Sequence, residues 1–312
     1  MSQGTPPSAA GAARGEPLPS AALVILLYQS AEYVGPCLSS VAALERPPDE
    51  LIVVDNASTD GSAELARQEL AQLGLEGRVI ALERNLGCCG GNNVGWRATH
   101  SDVVVFLNPD TEVTPTFLVE LQRAMCDQPH VGIVGCRIYY PGTRRLQHAG
   151  GRVWPNGRTE HFGAGQEDAG QFEEPRDCDY VTGAGFAVRR SILEELGGFS
   201  GDFFPAYFEE VDLCTRARQR GWRVLYWPRA VMYHHESVSL GVESERFLRL
   251  YHRMRLRYCL RHLTLRQWLG GFLPEELRTL RRVSAVHRRA IYAAWRDALG
   301  WRLLRGRRAG SG

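Results

Sequence analysis

The sequence predicts an α/β fold with a mostly parallel central sheet and helices on both faces, and three observations predict it. Short, continuously apolar runs recur without the alternation of a half-exposed strand. Stretches of helical spacing separate these runs, with short connections between. Polar residues stand where four of the runs end, the position at which open sheets of this kind bind their ligands.

The first run, residues 23–27 (LVILL), reads as a strand buried on both faces, with Tyr28 at its end. Helical spacing covers about 34–44 and stops before Pro47-Pro48. Residues 51–54 form the second strand, which runs into the turn-rich, cap-rich segment Asp55-Asn56-Ala57-Ser58-Thr59-Asp60-Gly61. A helix is expected over about 62–73, then a third strand over 78–82 with Arg84 and Asn85 beyond it. A Gly- and Asn-rich loop, 85–93, precedes another short helix. The fourth strand, 103–107, is followed by Asn108 and Asp110 and by a helix over 114–127. Beyond Tyr140 the pattern loosens, and residues 141–178 are rich in Gly and polar groups. Regularity returns at 180–188, with a helix near 191–196 and another over 209–220 that stops at Gly221. Residues 223–226 and 231–233 read as two short strands, and from 245 onward the chain reads as amphipathic helices.

At 312 residues, with 44% hydrophobic and 23% charged, the chain can bury a sizeable core as one large or two small domains. No run approaches the ~20 apolar residues of a membrane span. The first 20 residues, rich in Pro, Gly, Ala and Ser, lack the apolar core of a signal peptide and read as a disordered leader. The eight cysteines match no zinc spacing and are expected to be free thiols in a reducing cytoplasm. All 37 basic residues are Arg, a pattern that GC-rich coding alone explains. Charge is uneven: residues 246–312 carry 17 Arg against three acids, a net +14, and leave about −12 on the rest of a chain whose total is +2. In that basic segment Leu248, Leu250, Met254, Leu256, Cys259 and Leu260 interleave with Arg. The pattern fits a helix with one face packed on the body, a helix lying on an anionic membrane surface, or an extension that solvates its Arg. No nucleic-acid module accompanies the charge, so nucleic acid is not an expected partner.

Four segments carry candidate chemistry. Asn108 and Asp110 flank Pro109 after an apolar strand. Two oxygen ligands so spaced suit a hard divalent cation that shares diphosphate oxygens, although the tripeptide alone reads equally as a turn. In 209–216, Glu209, Asp212 and Arg216 share one helical face, which also fits a solvated ion-pair row. Glu210 points about 100° away from that row, where it could take a proton from a hydroxyl. His234, at a strand end, suits a metal or a structural role. The Gly-rich segment 87–95 could bring amides to phosphate, but it lacks the spacing of a dinucleotide-binding turn and follows the third strand.

In combination and in order, 53–62, 85–87 with 90–93, 107–111, 182–184, 197–199, 207–216 and 230–235 closely resemble the inverting family 2 glycosyltransferases, particularly the bacterial rhamnosyltransferase-like members. The resemblance implies the GT-A fold, a Rossmann-like sheet whose nucleotide-sugar half (about 21–136) continues into an acceptor half (about 137–240), followed by a basic helical extension (241–312). Asp55 would accept a hydrogen bond from a pyrimidine base beside Tyr28, and Arg84, Asn85 and Asn93 would line the nucleotide pocket. Asp110 and His234 would hold Mn²⁺ or Mg²⁺, with Asn108 next to them. Glu210, paired with Glu209, would be the general base, and Thr182, Gly183, Asp212 and Arg216 would lie along the substrate site.

Three departures from the family pattern stand out. Asn108 replaces the first acid of the metal motif, Glu209-Glu210 replaces the usual Glu-Asp pair, and Leu27-Tyr28-Gln29-Ser30 replaces the more frequent Thr-Tyr-Asn. The expected partners are a dTDP- or UDP-sugar donor and a glycan or lipid-linked acceptor, met in the cytoplasm or on the inner face of the membrane. Acceptor choice is expected within 141–178. A catalytically impaired nucleotide-sugar-binding protein and a sugar-nucleotidyltransferase are the rival readings. The second lacks its Gly-rich basic loop after the first strand.

Overall fold

The computed structural model describes residues 17–236 and 244–309; most of the expected leader lies outside them. In chain order the elements are β1 (Ala21–Leu27), α1 (Ala31–Ala42), β2 (Glu50–Asp55), α2 (Ser62–Gln72), β3 (Arg78–Ala81), α3 (Gly87–Arg97), β4 (Val103–Leu107), β5 (Thr111–Val113) and α4 (Phe117–Asp127). Next come β6 (Val131–Tyr139), β7 (Leu146–His148), β8 (Gly151–Val153), β9 (Thr159–His161), β10 (Arg176–Asp177), β11 (Gly185–Arg189), α5 (Arg190–Leu196), α6 (Glu209–Gln219) and β12 (Arg223–His234). The chain closes with α7 (Glu245–His262), α8 (Leu265–Gln267), a π-helical turn (Trp268–Phe272), α9 (Leu273–Arg282) and α10 (Ala285–Ala309).

One sheet runs β10-β12-β6-β11-β4-β1-β2-β3, with β5 on β12 and β7 on β6. Strands β1, β2, β3, β4, β6 and β12 all point the same way, and β11 runs against its neighbours β4 and β6. The apolar runs are continuous because both faces of the sheet are covered. Leu23, Ile25, Val53 and Val105 face a core shared with α1, α2 and α4. Val24, Val54, Val104 and Phe106 face a second core built by α3, α5, α6, α7 and residues of the π turn and α10.

Three segments differ from expectation. The Gly-rich 87–93 is not a loop but the opening of α3. Its glycines let the helix lie close on the sheet: a Cβ at Gly91 would stand 2.3 Å from Leu26, and one at Gly95 2.3 Å from Val24. The two expected strands 223–226 and 231–233 are one strand, β12, with a register shift between Trp227 and Val231. Pro228 lies in that gap and has no N–H to give the ladder. The stretch 141–178 holds short strands and an ion-pair cluster. Its Asp168 and Glu173 take Arg137 of β6 (3.3 and 2.9 Å), and the Tyr139 hydroxyl, also on β6, donates to Asp168.

The apolar residues of α7 settle how that helix packs. Leu248, Met254, Leu256 and Cys259 are buried against the body. All eight cysteines are free thiols, six of them buried. Among the described residues no helix is long and apolar enough to cross a membrane.

Candidate active site

The ends of β1, β2 and β4 meet where the strand order reverses, the switch point at which such sheets leave a crevice. Asp55 ends β2 and is buried. Its Oδ2 accepts from the Ser58 amide at 3.1 Å, and its Oδ1 is buried with no hydrogen-bond partner. A buried acceptor of this kind is costly until a donor reaches it. Tyr28 is exposed at the end of β1. Beside it Gln29 takes a left-handed turn (φ 51°) and bonds Thr59 through both ends of its amide, with Nε2 donating at 3.0 Å and Oε1 accepting from the Thr59 amide at 3.0 Å. This clamp joins the loops after β1 and β2, at the position where the sequence departs from the usual Thr-Tyr-Asn.

Arg84 and Asn85 are exposed after β3. Asn85 Oδ1 accepts from Asn56 Nδ2 (3.1 Å) and from the Gly87 amide (2.7 Å), and Asn56 Oδ1 accepts from the Leu86 amide (2.8 Å). Asn56, not singled out in the sequence, therefore ties the end of β2 to the start of α3. Asn93 is engaged differently. Its Nδ2 donates to the Phe199 carbonyl (2.8 Å), and its Oδ1 accepts from the Phe199 amide (2.9 Å) and from Trp96 Nε1 (2.9 Å). It acts as a strut between α3 and the turn after α5.

The turn after β4 holds a second group. Thr111 Oγ1 donates to the Asn108 carbonyl (2.7 Å) and closes the turn over Pro109. β5 then pairs with the end of β12, Thr111 opposite His234, and this brings the histidine to Asp110. His234 Nε2 stands 3.3 Å from Asp110 Oδ1, and its Nδ1 donates to Gln147 Oε1 at 2.6 Å. Gln147 holds the ring and sets which nitrogen faces the acid. With Nδ1 carrying a proton, a neutral imidazole presents a lone pair to a carboxylate, and a proton or a cation must lie between them. The pair therefore fits one divalent metal. No group of three or more His, Cys, Asp or Glu able to hold a metal occurs among the described residues, so the remaining ligands would come from substrate oxygens or water. Gln147 lies 87 residues from His234, and no sequence signal points to it.

The third group is at the start of α6. Tyr207 and Phe208 both take left-handed conformations (φ 76° and 69°), an uncommon state for two successive bulky residues. Phe208 is buried against the rings of Tyr251 and Tyr258 on α7, at 5.4 and 5.7 Å. Glu209 is buried, and burial pushes its carboxyl up; its Oε2 has no hydrogen-bond partner. Glu210 is half-buried and lies against Gly183, where a Cβ would stand 3.8 Å from its carboxyl carbon. Burial, and then the charge of Glu209, push Glu210 up to about 8. Thr182 Oγ1 accepts from the Ala184 amide (3.5 Å), and the Asn108 amide donates to the Ala184 carbonyl (2.9 Å). The segment 182–184 thus has Glu210 on one side and the Asp110 turn on the other.

Asp212 and Arg216 were expected beside the substrate and are engaged inside the protein. Asp212 is fully buried, and its carboxylate takes Arg216 Nε (2.7 Å), His262 Nε2 (2.8 Å) and Arg261 Nε (3.1 Å). Burial alone would raise its pKa. The bond from His262 and the charges of Arg216 and Arg261 outweigh burial and hold it below the usual range. Arg216 also donates to the carbonyls of Leu196 (3.0 Å) and Gly198 (2.8 Å). The alternative of a solvated ion-pair row is therefore replaced by a buried one.

Residues 22–197, more than half of the chain, match the family described as Glycosyl transferase family 2. The uncharacterized protein y4gI of Sinorhizobium fredii is 32% identical over 204 residues, a match that covers 62% of this chain and only 22% of that protein. The N-acetylglucosaminyl-diphospho-decaprenol L-rhamnosyltransferase of Mycobacterium tuberculosis is 28% identical over 256 residues, covering 74% of this chain and 81% of the relative. Among solved structures, mannosyltransferase PcManGT of Pyrobaculum calidifontis, in complex with GDP-Man and Mn²⁺, superposes with a TM-score of 0.61 at 18% identity. That alignment covers 94% of this chain and 76% of the other, and the shared fold is GT-A. The chain belongs to glycosyl transferase family 2 and is a glycosyltransferase.

Proposed function

We propose that the enzyme moves a hexose, rhamnose or a near relative, from a dTDP- or UDP-sugar to a hydroxyl of a glycan or lipid-linked acceptor, with inversion at the anomeric carbon. A relative that spans 74% of this chain carries in its name a transferred L-rhamnosyl group and a diphosphodecaprenol-linked acceptor, and this supports the sugar and the acceptor class. The unpartnered Asp55 Oδ1 supports a base with an N–H to give, as pyrimidines have. Tyr28 would face that base, with Arg84 and Asn85 at the rim of the pocket.

Asp110 and His234 would hold Mn²⁺ or Mg²⁺, which supplies positive charge to the departing diphosphate. The chain's own residues do the rest. Gln147 keeps His234 turned to Asp110, and the segment 182–184 holds the Asn108 turn and Glu210 on its two sides. Glu210 takes the proton of the attacking hydroxyl as it bonds the anomeric carbon from the face opposite the diphosphate. Asn93, Asp212 and Arg216 act behind the site and keep α3 and α6 in place.

The observation that carries this reading is Glu210, a carboxylate with a raised pKa set against a glycine at the edge of the crevice. Glu210→Gln should lower the transfer rate about 10²- to 10⁴-fold while donor binding, followed by calorimetry, stays near wild type. Full transfer by the variant would overturn the assignment.

A further inference from the structure

The segment 265–282 has two faces of opposite character. Inward, Phe272 is fully buried against Trp268 and Trp295, with ring centroids at 4.1 and 5.6 Å, and buried Glu276 and Thr279 accept from Asn156 (3.0 and 3.1 Å). Outward, Leu265, Leu269, Leu273 and Leu277 are exposed by 74, 60, 41 and 55%. On an α-helix, residues spaced by four drift by about 40° per step. The wide turn of the π helix at Trp268–Phe272 takes back much of that drift, so the four leucines keep to one row. Arg266, Arg278, Arg281 and Arg282 are exposed along the same segment, and among the described residues the acid paired with them is Glu275, at 3.1 Å from Arg278.

A row of exposed leucines bordered by arginines has the composition of a helix that lies in a lipid–water interface. A second copy of the chain fits less well. A two-fold contact would set the same arginines against each other, within a C-terminal region, 246–312, of +14 net charge. The apolar face of α7 is not available for this role, because the body covers it.

We propose that the outward face of 265–282 docks the enzyme on a bilayer containing anionic lipid. This rests on the reading above that the acceptor is lipid-linked, and it names the surface involved. The backing of the row joins the acceptor half. Gly271 stands against Pro155, where a Cβ would be 3.2 Å from Pro155 Cβ, and Asn156 is bonded to α9. Docking here sets the loop between β8 and β9 close to the membrane that holds the acceptor.

Co-sedimentation of the full chain with vesicles of phosphatidylcholine and phosphatidylglycerol, against vesicles of phosphatidylcholine alone, tests this. Wild type should prefer the mixed vesicles. Leu269→Ser with Leu277→Ser should weaken binding about tenfold or more at any salt concentration. Arg266→Gln with Arg281→Gln and Arg282→Gln should remove about tenfold of the preference for phosphatidylglycerol. Both variants should keep the wild-type Tm, because the altered side chains are exposed. The proposal fails if wild type ignores the mixed vesicles, or if the leucine variant binds as wild type does. It also fails if that variant only turns a dimer into a monomer. Donor turnover with a water-soluble acceptor, measured without vesicles, is a separate readout. Its absence in wild type would count against the transferase substrates proposed above and leave the docking result standing.

Discussion

The base proposed above, Glu210, has a raised pKa because both burial and Glu209 disfavour its charge, and a raised pKa suits removal of a proton from a sugar hydroxyl. The same shift makes the site a source of instability. Between the ordinary carboxylate range and about 8, the unfolded chain has lost this proton and the folded protein still holds it. Folding then binds a proton, so the stability contributed here is full at low pH and is lost as pH rises through about 8. Glu210→Gln removes that loss. Thermal melts should find the variant above wild type in Tm at about pH 9, with the two curves converging toward about pH 4 to 5. Wild-type kcat/KM should rise with pH toward the same raised value, since only the ionised base is active. A variant with a Tm equal to or below wild type at high pH, or a kcat/KM already flat above about pH 5, would sink this account of Glu210. Its place was legible in the sequence because the family's acidic pair lies at the start of a helix. The raised pKa was not legible, since it depends on how deeply the folded chain buries the pair.

At the scale of elements, the sheet was readable because a strand covered on both faces must be apolar throughout, and β1, β2 and β4 all are. The opening of α3 was not readable by the same rules, because glycine is a poor helix former and marks loops more often than helices. Close approach to the sheet decides the matter. Gly91 and Gly95 are four apart, on the side of α3 that meets Leu26 and Val24. Gly95→Ala sets about 1 kcal/mol of helix propensity gained against a contact of 2.3 Å with Val24, which is fully buried and has Val54 beside it. Overpacking of this kind costs about 1 to 3 kcal/mol, so the clash wins. Differential scanning calorimetry should show a Tm lower by a few degrees for Gly95→Ala. Gly270→Ala, where a Cβ meets nothing within 4 Å, keeps the propensity gain without a clash and should melt at or above the wild-type Tm. Equal melting of the two variants would mean that α3 stands off the sheet. The register of β12 was illegible for a related reason. The shift beside Pro228 interrupts the apolar pattern of one strand so that it reads as two.

For the whole molecule, the basic C-terminal helices are part of the enzyme body, and their hold is electrostatic as well as apolar. Arg255 on α7 is fully buried and makes a bidentate pair with Glu276 on α9, with both contacts at 2.7 Å, while its Nη1 also donates to the Asn156 carbonyl at 2.6 Å. One residue group thus ties together α7, α9 and the acceptor half, as Asp212 ties α7 to the helix that carries Glu210. The amphipathic helices are legible in the sequence and these pairs are not, because partners 21 and 99 residues apart leave no local pattern. Removing one member of a buried pair leaves the other as an uncompensated charge, which costs about 3 to 5 kcal/mol. Removing both leaves no such charge. Arg255→Met and Glu276→Gln should therefore each lower the denaturant midpoint strongly, and the double variant should lose clearly less than the two losses added, a coupling of about 1 to 3 kcal/mol. Transfer activity should fall with the single variants at temperatures where they remain folded, because α7 also presses on Phe208 at the entry to α6. If each single variant stayed within about 0.5 kcal/mol of wild type, the extension would be a dispensable attachment and not a wall of the second core.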